Sequence, residues 1–386
     1  MAVDVTTAAP GRARTLLGFS AFGVFWGGWG AALPALQAHA GASDGALGLA
    51  LLCIGAGALV SMRPAGALVD RHGSPALPVA LALFAACALL PALATSPLAL
   101  AGALVLLGAG SGAVDVAVNA EGVRSEAATR QPLMSLGHAS FSGTVVGASL
   151  LVGGLRAAEA GVLTIFAVLA ALVIAVALVV WRLPAAAARP DHAEPARGSL
   201  RELLDVPRWL AVLGGLTALA YFVENAWQSW SAVYLEDTLG AVPALAAAGP
   251  ALFAAAAATG RLAGQGAVRR IGERRLVTVG AALAAAGTLI AATAPTTAVA
   301  LMGIALAGLG SSVCAPVLIS LAGRHATPAA RASAVSIVTT LAYLGFLIGP
   351  AAVGLAADGL SLRAALGGVA GLALLLAALV HLAERR

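Results

Sequence analysis

The fold is decided by one short charged stretch that separates two long apolar runs, Gly66-Ala67-Leu68-Val69-Asp70-Arg71-His72-Gly73. Glycine adopts backbone conformations that other residues avoid, so Gly73 permits a tight turn and Gly66 permits close contact between helices. The Asp70 carboxylate can accept hydrogen bonds from the N-terminus of a neighbouring helix. The stretch therefore predicts a turn that joins two packed apolar helices.

Apolar runs of this kind recur along the whole chain. The 386 residues are 60% hydrophobic and only 10% charged, whereas a soluble domain of this length needs a far more charged surface. A run of about 18 or more apolar residues is long enough to cross a bilayer. We predict an all-α membrane protein with twelve transmembrane helices. These helices, here called spans 1 to 12, cover residues 15–36, 44–65, 75–95, 97–121, 132–154, 159–183, 208–233, 242–265, 274–294, 297–322, 331–355 and 361–383.

The basic residues predict the orientation of these spans. All 22 are arginines, and they lie in small groups at the ends of the apolar runs rather than in one patch. This distribution argues against a nucleic-acid-binding surface. If the N-terminus is cytoplasmic, every arginine except Arg156 and Arg363 falls on the cytoplasmic side, as the positive-inside rule requires. We therefore expect a multi-pass protein of the cell inner membrane with both termini in the cytoplasm.

A long polar stretch near the middle predicts two halves. Residues 184–207 indicate a cytoplasmic linker between an N-terminal bundle, 1–183, and a C-terminal bundle, 208–386. The two halves resemble one another, because Gly108-Ala109-Gly110-Ser111 in span 4 matches Gly308-Leu309-Gly310-Ser311 in span 10 at an offset of 200 residues. The chain is thus expected to form two six-helix bundles related as a parallel repeat.

The stretch from Gly66 to Gly73 resembles the signature loop of the major facilitator superfamily, which has a glycine, an Asp-Arg pair and a second glycine in this order. Ser74 stands where family members often carry a basic residue, and so does Pro75. The resemblance implies two pseudo-symmetric six-helix bundles around a central cavity. It also implies a loop that clamps the two halves on the cytoplasmic side and releases during transport. The gating residues that it implies are Gly66, Asp70, Arg71 and Gly73.

Further stretches are similar to a bacterial subgroup of this superfamily that is related to fucose-permease-like carriers. They are Asp115-Val116-Ala117-Val118-Asn119, Pro132-Leu133-Met134-Ser135 with His138, Glu224-Asn225-Ala226-Trp227-Gln228-Ser229-Trp230-Ser231, and residues 339–350. The resemblance covers essentially the whole chain. It implies transport and leaves the transported solute open.

Three ionisable residues, Glu224, Asp115 and His138, lie away from the ends of predicted spans, where a charge is costly and therefore marks a functional candidate. Glu224 lies in the middle of span 7, and a carboxyl group in this environment is easily neutralised by a proton. Counted from Arg124, which follows span 4, Asp115 lies about 13 Å into the membrane, and counted from Arg130, which precedes span 5, His138 lies about 12 Å into it. These two are therefore expected at one depth, where they could relay a proton. For each of the three, a structural hydrogen bond within the bundle is the alternative.

Six residues are candidates to line the solute site. Trp26 and Trp29 of span 1 are flanked by glycines, and indole faces stack on sugar rings or flat drugs. Helix packing through small residues is the alternative for both. The other candidates lie near the ionisable residues: Asn119, Asn225, Trp227 and Gln228. Arg261 is expected at the cytoplasmic end of span 8, with a role in gating or topology, and Glu121 near the membrane surface.

The signatures of several other protein classes are missing from the sequence. There is no Walker loop for ATP, and there is no HExxH, GxSxG or Cys/His cluster. We therefore expect neither an enzyme nor a protein with a cofactor or a metal site.

These features predict a secondary active transporter that moves a small organic solute by alternating access. Proton-coupled symport of a sugar-like or polar metabolite is the first interpretation, because polar residues mark spans 4, 5 and 7. Proton-coupled efflux of a hydrophobic drug or metabolite is the second, and a non-transporting membrane sensor or scaffold is the third. The expected partners of this monomer are the solute, protons and the lipid bilayer, and no nucleic acid.

Overall fold

A computed structural model describes residues 5–129, 131–185, 206–327 and 330–384 of the chain. This part contains twelve helical segments that are long and apolar enough to cross a membrane, in the predicted order. The α-helices are α1 (Val5–His39), α2 (Asp44–His72), α3 (Ala76–Leu89), α4 (Pro97–Thr129), α5 (Met134–Ala157), α6 (Val162–Arg182), α7 (Arg208–Val233), α8 (Pro243–Ile271), α9 (Glu273–Ala292), α10 (Thr297–Ser311), α11 (Cys314–His325), α12 (Arg331–Gly359) and α13 (Leu362–Glu384).

Several helices continue past the predicted ends. Each predicted end was placed where the apolar run meets charge, but a helix stops only where the backbone leaves helical geometry. α2 continues to Gly73, which has a φ of 66°, and α8 continues to Gly272, which has a φ of 80°. Both glycines supply a conformation that residues with a Cβ rarely adopt. Predicted span 10 differs more, because Ser312 and Val313 separate α10 from α11.

Tertiary contacts divide the chain into two units. The first is Met1–Ala193 with Val242–Ala247, and the second is Glu194–Ala241 with Ala248–Arg386. In the first unit, α2 packs along α4 and α1 packs along α5. In the second unit, α7 packs along α12, while α9 contacts both α10 and α13. Most of the predicted linker, residues 186–205, lies outside the described part of the chain.

Glycines allow close helix contact in each unit. In the first unit, a Cβ added to Gly57 of α2 or to Gly108 of α4 would collide with the backbone of the other helix. In the second unit, the same holds for Gly260 of α8 and Gly308 of α10. Small residues let helices approach closely in a membrane, where packing rather than the hydrophobic effect drives association. Gly108 and Gly308, which match in the sequence repeat, therefore also make the same kind of close helix contact.

Large apolar side chains cover much of the exterior. Val60, Leu98 and Leu360 are each more than three-quarters exposed, for example, on three different parts of the chain. Such side chains are unfavourable in water and favourable against lipid tails.

Candidate functional site

Glu224 of α7 lies inside the second unit and is 5% exposed. Its Oε1 atom accepts a hydrogen bond from Nη2 of Arg261 at 2.6 Å and a second from Nε2 of Gln228 at 3.2 Å. Within the described residues, its Oε2 atom is buried and has no hydrogen-bond partner. A buried carboxylate is stable only when its charge is compensated, and Arg261 supplies that compensation here.

Arg261 lies farther from the end of its helix than the sequence predicted. The predicted span 8 ended at residue 265, which placed Arg261 at the cytoplasmic end. The helix instead continues to Ile271, so Arg261 lies ten residues from its end, or about 15 Å along the axis. Its side chain is 43% exposed. The expectation that Arg261 serves only at a helix end is therefore corrected, and the sequence missed its pairing with Glu224.

The other polar residues of α7 have separate partners in the second unit. Asn225 donates a hydrogen bond to the carbonyl oxygen of Phe346 at 2.5 Å. Trp227 is fully buried, and its Nε1 atom donates to Oγ1 of Thr288 at 2.9 Å. These contacts favour a packing role for Asn225 and Trp227, whose roles in solute binding stay predictions. Gln228 is the candidate on this helix that is exposed.

Two candidates on α4, Asp115 and Asn119, contact each other. Nδ2 of Asn119 donates to Oδ1 of Asp115 at 3.1 Å and to the backbone carbonyl oxygen of Asp115 at 2.8 Å. Both residues are partly exposed. The pair therefore presents a carboxylate and an amide side by side on one face of the first unit.

His138 does not lie at the depth of Asp115, contrary to the sequence prediction. Oε1 of Glu126 on α4 accepts hydrogen bonds from the backbone nitrogens of Leu133 and Met134, so the start of α5 lies level with Glu126. From that level, Asp115 is eleven residues along α4, about 16 Å, while His138 is four residues along α5, about 6 Å. The predicted depths were counted from Arg124 and Arg130, but Arg124 lies inside α4, five residues before its end. A direct relay between these residues stays a prediction that the depth difference weakens.

Trp26 and Trp29 belong to an aromatic cluster inside the first unit. Trp29 is 5% exposed and lies between the rings of Phe25 and Phe166, with centroid distances of 6.0 and 5.9 Å. Trp26 contacts Phe25 edge to face at 5.4 Å and keeps part of its surface exposed. Of the two, Trp26 is thus the better placed to contact a solute.

The predicted gating stretch is helical rather than a loop. Asp70 and Arg71 are exposed in the last turn of α2, and the turn occurs at Gly73, whose backbone nitrogen donates to the carbonyl oxygen of Val69 at 2.8 Å. A Cβ added to Gly66 would meet no heavy atom within 4 Å. Close helix contact is therefore not the reason for glycine at position 66 in this conformation, whereas the reason given for Gly73 is confirmed.

The first unit contains a buried charge cluster around Glu121. It was not predicted, because Glu121 was expected near the membrane surface. Glu121 is 1% exposed, and its two carboxylate oxygens bind Nε of Arg14 at 2.8 Å and Nη2 of Arg124 at 2.9 Å. Arg14 also donates to the carbonyl oxygens of Val180 and Ser74, both at 2.6 Å. The spacing of Glu121 and Arg124, three residues on one helix, was the available signal.

Comparison with known proteins identifies the family. The family model described as Major Facilitator Superfamily matches residues 15–307 and 266–386. An uncharacterized MFS-type transporter of Yersinia pestis is 35% identical over 376 residues, which cover 95% of this chain and 94% of that protein. An uncharacterized transporter of Sinorhizobium fredii is 32% identical over 353 residues, which cover 90% of this chain and 91% of that protein.

Solved structures show the same fold at low sequence identity. The nucleoside transporter NupG superposes with a TM-score of 0.80 at 15% identity, covering 98% of this chain and 99% of its own. A D-xylose-proton symporter gives a TM-score of 0.71 at 16% identity, covering 98% and 97%. The fold is thus all-α, with twelve membrane-span helices. Together with the family match and the bacterial relatives, it shows that this multi-pass membrane protein belongs to the Major Facilitator Superfamily and is a secondary transporter, not an enzyme.

Proposed function

We propose that this transporter couples the import of a small polar solute to protons and acts in the cell inner membrane with both termini in the cytoplasm. The observation that supports it best is Glu224, a buried carboxylate in a membrane segment with one oxygen bound to Arg261 and the other unpartnered. Ionisable groups at such positions are the usual carriers of protons in transporters.

Protonation of Glu224 changes the contact between α7 and α8. With Glu224 ionised, the two charges compensate one another and hold α7 to α8. A proton on Glu224 removes its negative charge and leaves Arg261 uncompensated, so the contact between the helices weakens. Protonation therefore changes which conformation of the second unit is favoured, which is what coupling requires.

The remaining roles are assigned by exposure and partners. Asp115, next to Asn119 on α4, is the second proton-coupling candidate, and His138 is retained only as a predicted relay. For the solute, the exposed Gln228 and the partly exposed Trp26 and Asn119 rank above the buried Trp29, Asn225 and Trp227. Gating is assigned to the exposed end of α2 at Asp70 and Arg71, with Gly66 and Gly73 allowing its movement. We also propose that this transporter is related to fucose-permease-like carriers.

The test is proton movement in proteoliposomes that contain a pH-sensitive dye, screened with a panel of sugars, sugar acids and hydrophobic drugs. We expect a polar solute to drive protons inward with wild type, and Glu224→Gln and Asp115→Asn to abolish or strongly reduce this movement. Glu273→Gln is the matched control, because Glu273 lies at the exposed start of α9 in a pair with Arg324.

Each alternative has its own outcome in this assay. Solute movement that is identical with both carboxylates neutralised would refute proton coupling through these residues. Outward movement of a hydrophobic drug against an inward proton flux would replace import by efflux. A protein that binds a partner while moving none of the solutes would support the sensor or scaffold interpretation.

A further inference from the structure

Arg261 presents a cationic group in the middle of a membrane segment. Its guanidinium binds Glu224, which lies sixteen residues, or about 24 Å, from the start of α7. Nevertheless 43% of the Arg261 side chain is exposed. A guanidinium exposed to lipid tails at this depth is strongly unfavourable, so the exposed part must face water. Arg261 is therefore a cation that a dissolved solute can reach.

The bond that holds Arg261 leaves much of its binding capacity open to a second anion. Glu224 contacts the guanidinium through one oxygen and one nitrogen, Oε1 and Nη2. A guanidinium carries five N–H donors in a planar fork, and it binds a carboxylate most strongly when two of them act together. Because Glu224 binds the exposed guanidinium through a single hydrogen bond, another carboxylate can replace it there.

Polar and aromatic groups surround the ion pair. Tyr221 lies one turn before Glu224 on α7 and interacts electrostatically with Glu224, Arg261 and Tyr343. Tyr343 of α12 is 40% exposed, and its ring lies 6.3 Å from that of Phe346. These phenols, with the amide of Gln228, offer hydrogen bonds to a polar solute whose charged group is held by Arg261.

We propose that the transported solute is a small organic acid whose carboxylate binds Arg261 when Glu224 takes up a proton. This proposal rests on the proton-coupled transport proposed above and names its substrate class. The solute carboxylate replaces the Glu224 carboxylate as the partner of Arg261, so one proton and one anion enter together and the site keeps its charge balance. Among the described residues, the titratable and charged groups that face Glu224 are Tyr221 on its own helix, Arg261 on α8 and Cys314 on α11.

The proposal predicts that the solute binds more tightly at lower pH. Glu224 and the solute compete for Arg261, and lower pH removes only the competitor as long as the solute stays ionised. A solute that binds only the protonated fraction has an apparent affinity proportional to that fraction, so two pH units can change it by roughly tenfold or more.

The test uses the purified full-length chain in detergent and two matched probe pairs: glucuronate against glucose, and lactate against glycerol. Binding is measured as a ligand-dependent shift in the thermal unfolding midpoint at pH 7.5 and 5.5, with sodium chloride at equal ionic strength as the reference. We expect at least one acid to bind more tightly than its uncharged partner, and its dissociation constant to fall at least about tenfold at pH 5.5. Equal binding of the acid and its partner in both pairs, or no binding by either acid, would overturn the proposal.

Variants separate the competition from general damage. Glu224→Gln should bind the acid at pH 7.5 at least as tightly as wild type does at pH 5.5, with no dependence on pH. Arg261→Gln should lose the preference for the acid, Arg261→Lys should retain part of it, and Arg269→Gln, an exposed arginine at the end of the same helix, should not change it. The double variant Glu224→Gln/Arg261→Gln removes both charges together, so it should fold and still fail to prefer the acid. An Arg261→Gln protein that folds and keeps the preference would contradict the proposal.

The two proposals fail in different ways. If an uncharged sugar drives protons through Glu224 and no acid binds Arg261, proton coupling stands and the organic-acid substrate is wrong. If an acid binds Arg261 and crosses the membrane without protons, the substrate class stands and coupling is wrong.

Discussion

Arg14, near the start of the first membrane span, donates a hydrogen bond from Nε to Oε1 of Glu121 on α4 at 2.8 Å, although 107 residues separate the two in sequence. Arg14 donates as well to the carbonyl oxygens of Ser74 and Val180. One guanidinium therefore connects α1, α4, the end of α6 and the segment that follows α2. Both partners of the ion pair are at most 3% exposed, so their charges compensate one another almost without help from water.

We expect Glu121→Gln to destabilise the protein by about 3–5 kcal/mol, because it leaves two buried arginines short of a negative charge. The measurement is unfolding of the purified protein in detergent, followed by tryptophan fluorescence. Glu273→Gln is the control, because it breaks the partly exposed pair with Arg324 and should change stability by no more than about 1 kcal/mol. Equal effects of the two variants would show that Glu121 contributes no more than a surface carboxylate.

The indole of Trp227 is expected to stabilise the second unit rather than to bind solute. Thr288→Val removes the acceptor of its Nε1 hydrogen bond and leaves a buried donor unpaired, so it should lower stability by about 1–3 kcal/mol. Solute affinity should stay within about twofold of wild type. Gln228→Ala should show the reverse pattern, with little effect on unfolding and weaker binding, because Gln228 is exposed beside Glu224. A large loss of affinity in Thr288→Val would place Trp227 in the solute site.

The two glycines of the gating stretch should respond in opposite ways to alanine. Gly73 has a φ of 66°, so Gly73→Ala should destabilise by about 1–2 kcal/mol. Gly66 lies within α2 with open space around it, so Gly66→Ala should be neutral or should stabilise by about 0.5–1 kcal/mol. Thermal unfolding and transport are measured for both variants. A Gly66→Ala protein that is stable but does not transport would show that Gly66 is needed in another conformation of the cycle.

The depths of His138 and Asp115 lead to different expectations for their neutral variants. His138→Gln should keep solute-driven proton movement within about twofold of wild type, because its ring lies beside Phe19 near the start of α5, about 10 Å from the level of Asp115. Asp115→Asn should reduce that movement strongly. The proteoliposome dye assay checks both variants at matched protein content. Loss of proton movement in His138→Gln alone would restore the relay that the sequence predicted.

The number and order of the spans could be predicted because the length of an apolar run is a local property of the sequence. The contact between Asp115 and Asn119 could be predicted for the same reason, since residues four apart share a face of a helix. The ends of α2 and α8 could not be predicted from hydropathy, because Arg71 and Arg269 are compatible with a helix that continues beyond the apolar run. The glycines at 73 and 272, rather than the charges, end these helices.

The ion pairs were beyond the reach of such local patterns. Glu224 was recognised as a candidate from its position, but its partner Arg261 is 37 residues away on another helix. Whether two helices turn their polar faces toward each other depends on packing along their whole length. The same holds for Arg14 and Glu121, so the sequence did not show which charged residues compensate one another.

The break between α10 and α11 makes the two repeats mechanically unequal. α4 runs without interruption through its Gly108-to-Ser111 stretch, whereas the matching stretch of the second unit ends a helix at Ser311. Around this break the backbone bonds are long, at 3.3 Å from Ser312 to Gly308 and 3.4 Å from Val317 to Val313. A continuous helix and an interrupted helix bend differently under the same force. We therefore expect the second unit to bend more readily at Ser312 and Val313 than the first unit bends at the matching residues of α4.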